Sequence, residues 1–212
     1  MSEDLNTNST YYAIRNSIGI LGCLLPVLSI LGALFSPNVI YSNYWWTSIS
    51  VTYYSTPVLI SILSSVGIFL IVYSFNAYSK WDRIVNLIAG VAAIGVVIFP
   101  CVCPWLEEGT KVGLFYLPMK VSNYFHCASA FLVFLMLALN NLCLFSKSNN
   151  SKKNLAYRIC GITILVALVL FALNGAFFNI RALVITLETI MLLAFGISWI
   201  IKGHLLDNIF SD

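Results

Sequence analysis

The sequence predicts an all-α membrane protein, a polytopic bundle of six transmembrane helices with both termini cytoplasmic. Three observations carry that expectation. Of the 212 residues, 60% are hydrophobic and only 9% are charged, whereas a soluble domain averages about 25% charged residues. A water-soluble globule of this size must still cover itself with polar groups, so the solvent for most of this surface is lipid. The apolar residues also gather into six runs of about 20, the length that crosses a hydrocarbon core. Finally, the basic residues fall unequally on the two sides of those runs.

The expected spans are approximately 16–35, 57–75, 84–103, 121–145, 155–178 and 183–201, within one transmembrane domain covering 1–212. Each is expected to be helical, because a helix satisfies its backbone groups within its own segment. Met1 to Tyr12 is polar and slightly acidic, without the basic start or the cleavage site of a signal peptide, so the first run is expected to remain as a span. Between the first and second runs lies Asn43-Tyr-Trp-Trp-Thr-Ser-Ile-Ser-Val-Thr-Tyr-Tyr-Ser-Thr, aromatic, rich in hydroxyls and uncharged. The stretch from Tyr41 to Thr56 is expected to be ordered, either lying at the interface or folded back over the bundle mouth. Ser79-Lys-Trp-Asp-Arg separates the second and third spans, Ser146 to Asn154 the fourth and fifth, and Asn179-Ile-Arg-Ala forms a tight turn between the last two.

Six spans put Arg15, Lys80, Arg83, Lys147, Lys152, Lys153, Arg158 and Lys202 on one side, against Lys111, Lys120 and Arg181 on the other. The positive-inside rule makes the richer side cytoplasmic. Aromatic residues agree: Tyr44, Trp45, Trp46, Trp105 and Tyr124 fall at the outer interface, and Tyr12, Tyr78, Trp81, Tyr157 and Trp199 at the inner one. The sequons at Asn8 and Asn149 then face the cytoplasm, where glycosylation does not occur. The net charge of +3 follows from this topology and forms no phosphate-binding face, so no nucleic-acid partner is expected. Small residues recur at helix-packing spacing: Ser61 and Ser65, Ala89 and Ala93, Ala194 and Ser198. They fit packing within the bundle or a seam between copies in a homo-oligomer.

Glu188 is the residue to ask about first, as the only carboxylate inside a long apolar run. A carboxylate at that depth costs roughly 2.5–3.5 kcal/mol on insertion scales, so it usually faces the bundle interior with a partner. At about 1.5 Å per helical residue, His126 lies roughly 9 Å inward from Lys120, Glu188 roughly 10 Å inward from Arg181, and Asn174 roughly 7 Å inward from Asn179. These three share a layer, and with Tyr53, Tyr54 and Ser50 of the first outer loop they form the candidate ligand-binding set. His126 and Glu188 are expected within hydrogen-bonding distance, directly or through one water. Whether they only orient two helices or also hold a ligand or proton stays open.

Cys101, Cys103 and Cys127 sit near His126 at the outer ends of the third and fourth spans. They fit ordinary packing, a disulfide or a soft metal site, but Cys-x-Cys without a second pair is a weak metal signal. No phosphate loop, dinucleotide fingerprint, nucleophile elbow or His-Glu-x-x-His pair is present, and no cofactor is expected. His204 is expected to be solvated or to touch headgroups.

The segments Ser48-Ile-Ser-Val-Thr-Tyr-Tyr, Trp81-Asp-Arg-Ile-Val-Asn-Leu-Ile-Ala-Gly with Phe99-Pro, His126, Leu187-Glu and Phe195-Gly-Ile-Ser-Trp-Ile-Ile-Lys-Gly resemble an uncharacterised family of small six-span bacterial membrane proteins. The resemblance covers most of the chain, carries no activity with it, and implies that the outer Ser/Tyr loop, His126 and Glu188 belong to a shared design. A looser likeness is to seven-span ceramidase and adiponectin-receptor hydrolases, which bind zinc in the bilayer. This chain lacks their paired histidines. Three function classes follow. The leading one is an outward-facing polar pocket that binds, and in one version transports, a small molecule, lipid or ion. The second is a metal-dependent intramembrane hydrolase using Glu188 and His126, and the third a structural or pore-forming oligomer.

Overall fold

A computed structural model describes residues 2–37, 43–77 and 79–210, and the side chains from residue 10 onward within that set. Six of its helices are long and apolar enough to cross a membrane, which makes the chain a multi-pass membrane protein. They are α1 (Ser2–Leu34), α2 (Val58–Phe75), α3 (Lys80–Ile98), α4 (Met119–Leu139), α5 (Ser151–Leu173) and α6 (Arg181–Lys202). A short helix, α7 (Asp207–Phe210), closes the described chain.

Several boundaries differ from the sequence expectation for physical reasons. The first apolar segment is Thr10–Leu34, six residues longer at its start than expected, because the polar N-terminal residues continue the same helix. Arg15 is therefore inside α1, not ahead of it. The third helix ends at Ile98 instead of residue 103, since Pro100 disfavours helical backbone at Phe99 and cannot itself continue the hydrogen-bond ladder. Ser79 begins α3 as an N-cap, its hydroxyl accepting from the Asp82 N–H at 3.0 Å. Asn150 does the same for α5 at the Lys153 N–H. The region between α3 and α4 holds a small antiparallel hairpin that the sequence reading did not anticipate. Its strands, β1 (Lys111–Val112) and β2 (Leu117–Pro118), pair Lys111 with Pro118. Of the expected ordered loop, residues 43–56 fold as a turn followed by a 3₁₀ segment at Ser50–Tyr54; Tyr41 and Ser42 lie outside the described residues, as does Tyr78 of the inner aromatic belt.

The helices form a ring in chain order, α1 through α6, with α6 packing back on α1. Two seams of the ring are set by glycines that permit close backbone approach. A Cβ on Gly196 would lie 2.6 Å from the Cys23 nitrogen and 2.7 Å from the Gly19 oxygen, so α6 and α1 cross backbone to backbone. Gly90 and Gly67 do likewise for α3 and α2. Of the small-residue pairs read from sequence, Ala89 and Ala93 and Ala194 and Ser198 are buried in the ring, whereas Ser61 is exposed and Ser65 bonds back to its own helix. The seam between α4 and α5 is the sparsest of the ring.

At the end of the ring that carries both described chain ends, a buried polar chain ties four helices together. Arg15 donates to Tyr73 (3.2 Å), Tyr73 to Asp82 (3.4 Å), Asn86 to Asp82 (2.7 Å), and Asn140 to Asn86 (2.6 Å). Asn140 is brought inward by a π-helical turn, Asn140–Leu144, that extends α4. Arg15 lies over the Tyr11 ring, and Tyr73, Trp199, Phe145 and Tyr157 continue the cluster edge to face. In such a low-dielectric setting each polar group needs its partner, and the chain specifies one relative placement of α1, α2, α3 and α4.

Candidate functional site

At the other end, the segment 48–50 dips between the helices and is held by Glu188. The Ser48 hydroxyl donates to both carboxylate oxygens at 2.9 Å, the Ile49 N–H donates at 2.6 Å, and the Ser50 hydroxyl donates at 3.0 Å. Two carboxylate oxygens offer about four lone-pair positions, so these donors nearly saturate the group. Glu188 is 8% exposed and sits on α6 one turn from Met191 and Leu192, which turn the same way. The carboxylate is thus the anchor that draws the loop between α1 and α2 over the bundle mouth.

Beneath that cap is a cavity of about 270 Å³, walled by residues of all six long helices. On α4 the wall is the stripe His126, Ala130, Val133 and Phe134, spaced as one helical face. On α2 it is Leu59 and Leu63. Among the described residues, Ser50, His126, Cys127 and Glu188 bring polar side chains to the wall, and the rest is apolar. This replaces the expected polar pocket with an apolar chamber that has a polar corner. Cys127, Phe131 and Ala172 are the exposed residues of the described wall and stand on α4 and α5, which sets the chamber's opening at the sparse seam between those helices.

His126 is 5% exposed, and its Nδ1 lies 2.8 Å from the Phe99 carbonyl oxygen. A carbonyl only accepts, so Nδ1 carries the proton and Nε2 is left as an acceptor. That bond exists because Pro100 ends α3 early and leaves the Phe99 carbonyl without a helical partner. The expected direct bond between His126 and Glu188 is not formed: His126 bonds through Nδ1 to the Phe99 carbonyl and Glu188 to the 48–50 segment, each on its own side of the chamber.

The other residues singled out from sequence bond elsewhere. Asn174 is buried but staples the α5–α6 connection, accepting from the Ile180 N–H at 3.0 Å and donating to the Ile180 carbonyl at 3.1 Å. Tyr54 donates to the Cys101 carbonyl at 2.7 Å, and burial pushes its hydroxyl well above the ordinary tyrosine range. Tyr53 packs edge to face on Tyr54. Neither tyrosine belongs to the chamber wall, although both sit in the loop that caps it. Ser48 and the Ile49 N–H were missed as ligands of Glu188, and so was the chamber itself. The Arg15–Asp82–Asn140 chain at the opposite end was missed too, although Asn86, Asn140 and Asn141 stand in apolar runs where the same depth question would have flagged them.

All six cysteines are free thiols. Burial pushes the Cys101 thiol well up, with neighbouring Glu188 adding to the shift, and burial raises Cys103 as well, so neither is poised as a thiolate. Among the described residues no three His, Cys, Asp or Glu side chains converge as a metal-binding group. His204 bonds Asp207 at 2.8 Å and meets Tyr12 edge to face.

No family model, curated protein or solved structure matches the chain. Its class is set by the fold and the site: a six-span membrane protein with a laterally open apolar chamber. The expected family of small six-span bacterial proteins is therefore not shown by these comparisons; six helices long and apolar enough to cross a membrane are what the structure shows.

Proposed function

We propose that this protein binds an apolar or amphiphilic molecule drawn from the bilayer, held in the chamber under the 48–50 cap. The observation that supports the reading is the apolar chamber of about 270 Å³ with its opening between α4 and α5. An apolar cavity of about 150 Å³ already admits an aromatic ring and stays dry. Left unfilled, a void costs on the order of 24 cal/mol per Å³, which favours an occupant. An opening that faces lipid selects molecules dissolved in lipid over ions and polar metabolites. On the charge distribution, the ring lies with both termini on the cytoplasmic side and the cap outside.

Decane tests the binding reading, because it carries no head group at all. Added to the purified protein in lipid nanodiscs, it is expected to bind at one molecule per chain and to raise the melting temperature. Ala130→Trp places a large ring in the chamber beside its opening and is expected to abolish both effects. Equal decane binding by the two proteins would refute the chamber as the site.

A further inference from the structure

The polar corner of the chamber has a chemical sense that the apolar wall does not. We infer that the head group of the bound molecule is an uncharged hydrogen-bond donor, a hydroxyl that donates to Nε2 of His126. The inference rests on the binding reading above and goes on to name the ligand class: a long-chain or polycyclic alcohol.

Nδ1 of His126 is committed to the Phe99 carbonyl, which fixes Nε2 as an acceptor. The side chain is 5% exposed and lines the chamber, and among the described residues the hydrogen bond its ring forms is that of Nδ1. An acceptor facing an apolar chamber without a donor is costly, so the chamber favours an occupant that donates there. Glu188 cannot serve as a second free acceptor, because Ser48, Ile49 and Ser50 occupy its oxygens. Among the described residues no lysine or arginine lines the chamber, and the Ser50 hydroxyl is already given to Glu188, so a carboxylate or phosphate head would find neither a counter-charge nor a free hydroxyl donor there.

Other heads fit less well. An ether, ester or ketone only accepts, and would set one lone pair against another at Nε2. An amide donates but leaves its carbonyl in need of a donor. The Ser50 hydroxyl is already given to Glu188, and the Cys127 thiol is a weak donor. An ammonium could donate to Nε2 but must shed its water against an apolar wall, with the Glu188 oxygens already taken. A hydroxyl needs only the one acceptor that is vacant. The volume agrees in scale, being roughly nine times that of a water molecule in the liquid at about 30 Å³ each, enough for a ten-carbon chain or a small ring system.

The test compares decane, decanol, decanoate and decylamine in nanodiscs of one zwitterionic lipid, above neutral pH, at matched mole fractions in the bilayer. Binding is read with radiolabelled ligand. Decanol is expected to bind roughly tenfold more tightly than decane, the scale of one buried hydrogen bond, with decanoate no better than decane. In His126→Phe, the preference for decanol over decane is expected to vanish, the two ligands binding alike whatever the new ring does to the chamber, and residual decane binding reports that the variant has folded. Should that variant not fold, the wild-type ligand series decides alone. Decanoate or decylamine binding as tightly as decanol would overturn the hydroxyl assignment while leaving the chamber reading intact. Failure of all four ligands, decane included, would overturn both.

Discussion

Glu188 accepts from two hydroxyls and a backbone N–H of one short segment, and that fixes what its loss does. Glu188→Ala leaves one buried and two part-buried donors without an acceptor. At about 1–3 kcal/mol for each unsatisfied group, partly relieved by movement of the loop, the variant is expected to lose roughly 2–4 kcal/mol. Ser48→Ala alone removes one donor and is expected to cost about 1 kcal/mol. Because the two changes share one interaction, a double-mutant cycle on unfolding in detergent is expected to show coupling of about 0.5–3 kcal/mol. His126→Ala combined with Glu188→Ala is expected to couple more weakly than Ser48 with Glu188, since the two share the chamber but no hydrogen bond joins them. Strict additivity for Ser48 and Glu188 would mean the carboxylate does not hold the cap. At this scale the sequence was legible in depth and illegible in rotation. Counting residues put His126, Glu188 and Asn174 in one layer, but a run of apolar residues on every side gives no period from which to read the direction a polar one faces. His126 and Glu188 turn toward the chamber, while Asn174 spends its amide on the turn it begins.

Helix existence followed from the apolar runs, and helix ends followed where proline or a capping side chain acts locally, as at Pro100 and Ser79. What the runs did not reveal depends on two elements meeting. The Gly196–Gly19 and Gly90–Gly67 contacts lie between helices, whereas small residues had been sought only along a single helix. The same holds for α7, whose attachment is electrostatic and distant in sequence. Lys153 donates to Asp207 at 2.6 Å and His204 contacts it at 2.8 Å. Its slight burial opposes ionisation, but these hydrogen bonds outweigh that and hold the Asp207 carboxyl below its ordinary value. A folded value below the unfolded one, about 3.9, means the stabilisation is complete above that pH and is lost as pH falls through the folded value. The carboxylate is 47% exposed, so solvent screening keeps the effect local to the end of the chain. Amide protection at residues 207–210 is therefore expected to hold at neutral pH and to decline below about pH 4, after correction for intrinsic exchange. Protection in α5 is expected to stay unchanged. Undiminished protection of α7 under acid would show that the Asn150–Phe210 hydrogen bond and apolar contacts hold it without the ion pair.

At the scale of the whole molecule, two polar systems occupy opposite ends of one ring, and their difference bears on which way the protein sits. The end with both described chain termini is a closed lock: Arg15, Asp82, Asn86 and Asn140 are linked to one another. It is also ringed by basic side chains, with Lys80, Arg83, Lys147, Lys152, Lys153, Arg158 and Lys202 in the same region of the fold. The opposite end has Lys111, Lys120 and Arg181, of which Lys120 pairs with Glu108 at 3.2 Å. Basic residues near span ends resist translocation, so the asymmetry favours the lock on the cytoplasmic face and the capped chamber on the outer face. That placement decides which leaflet and which water phase reach the 48–50 cap. Ser148, in the turn between α4 and α5, reports it. In a background with the exposed cysteines Cys127 and Cys143 replaced by alanine, a cysteine introduced by Ser148→Cys is expected to resist a membrane-impermeant maleimide on intact cells and to react after permeabilisation. A cysteine introduced by Glu108→Cys, in the loop before the hairpin, is expected to react without permeabilisation. The reverse pattern would invert the molecule in its membrane, leaving the ring and chamber as described but turning the cap toward the cytoplasm.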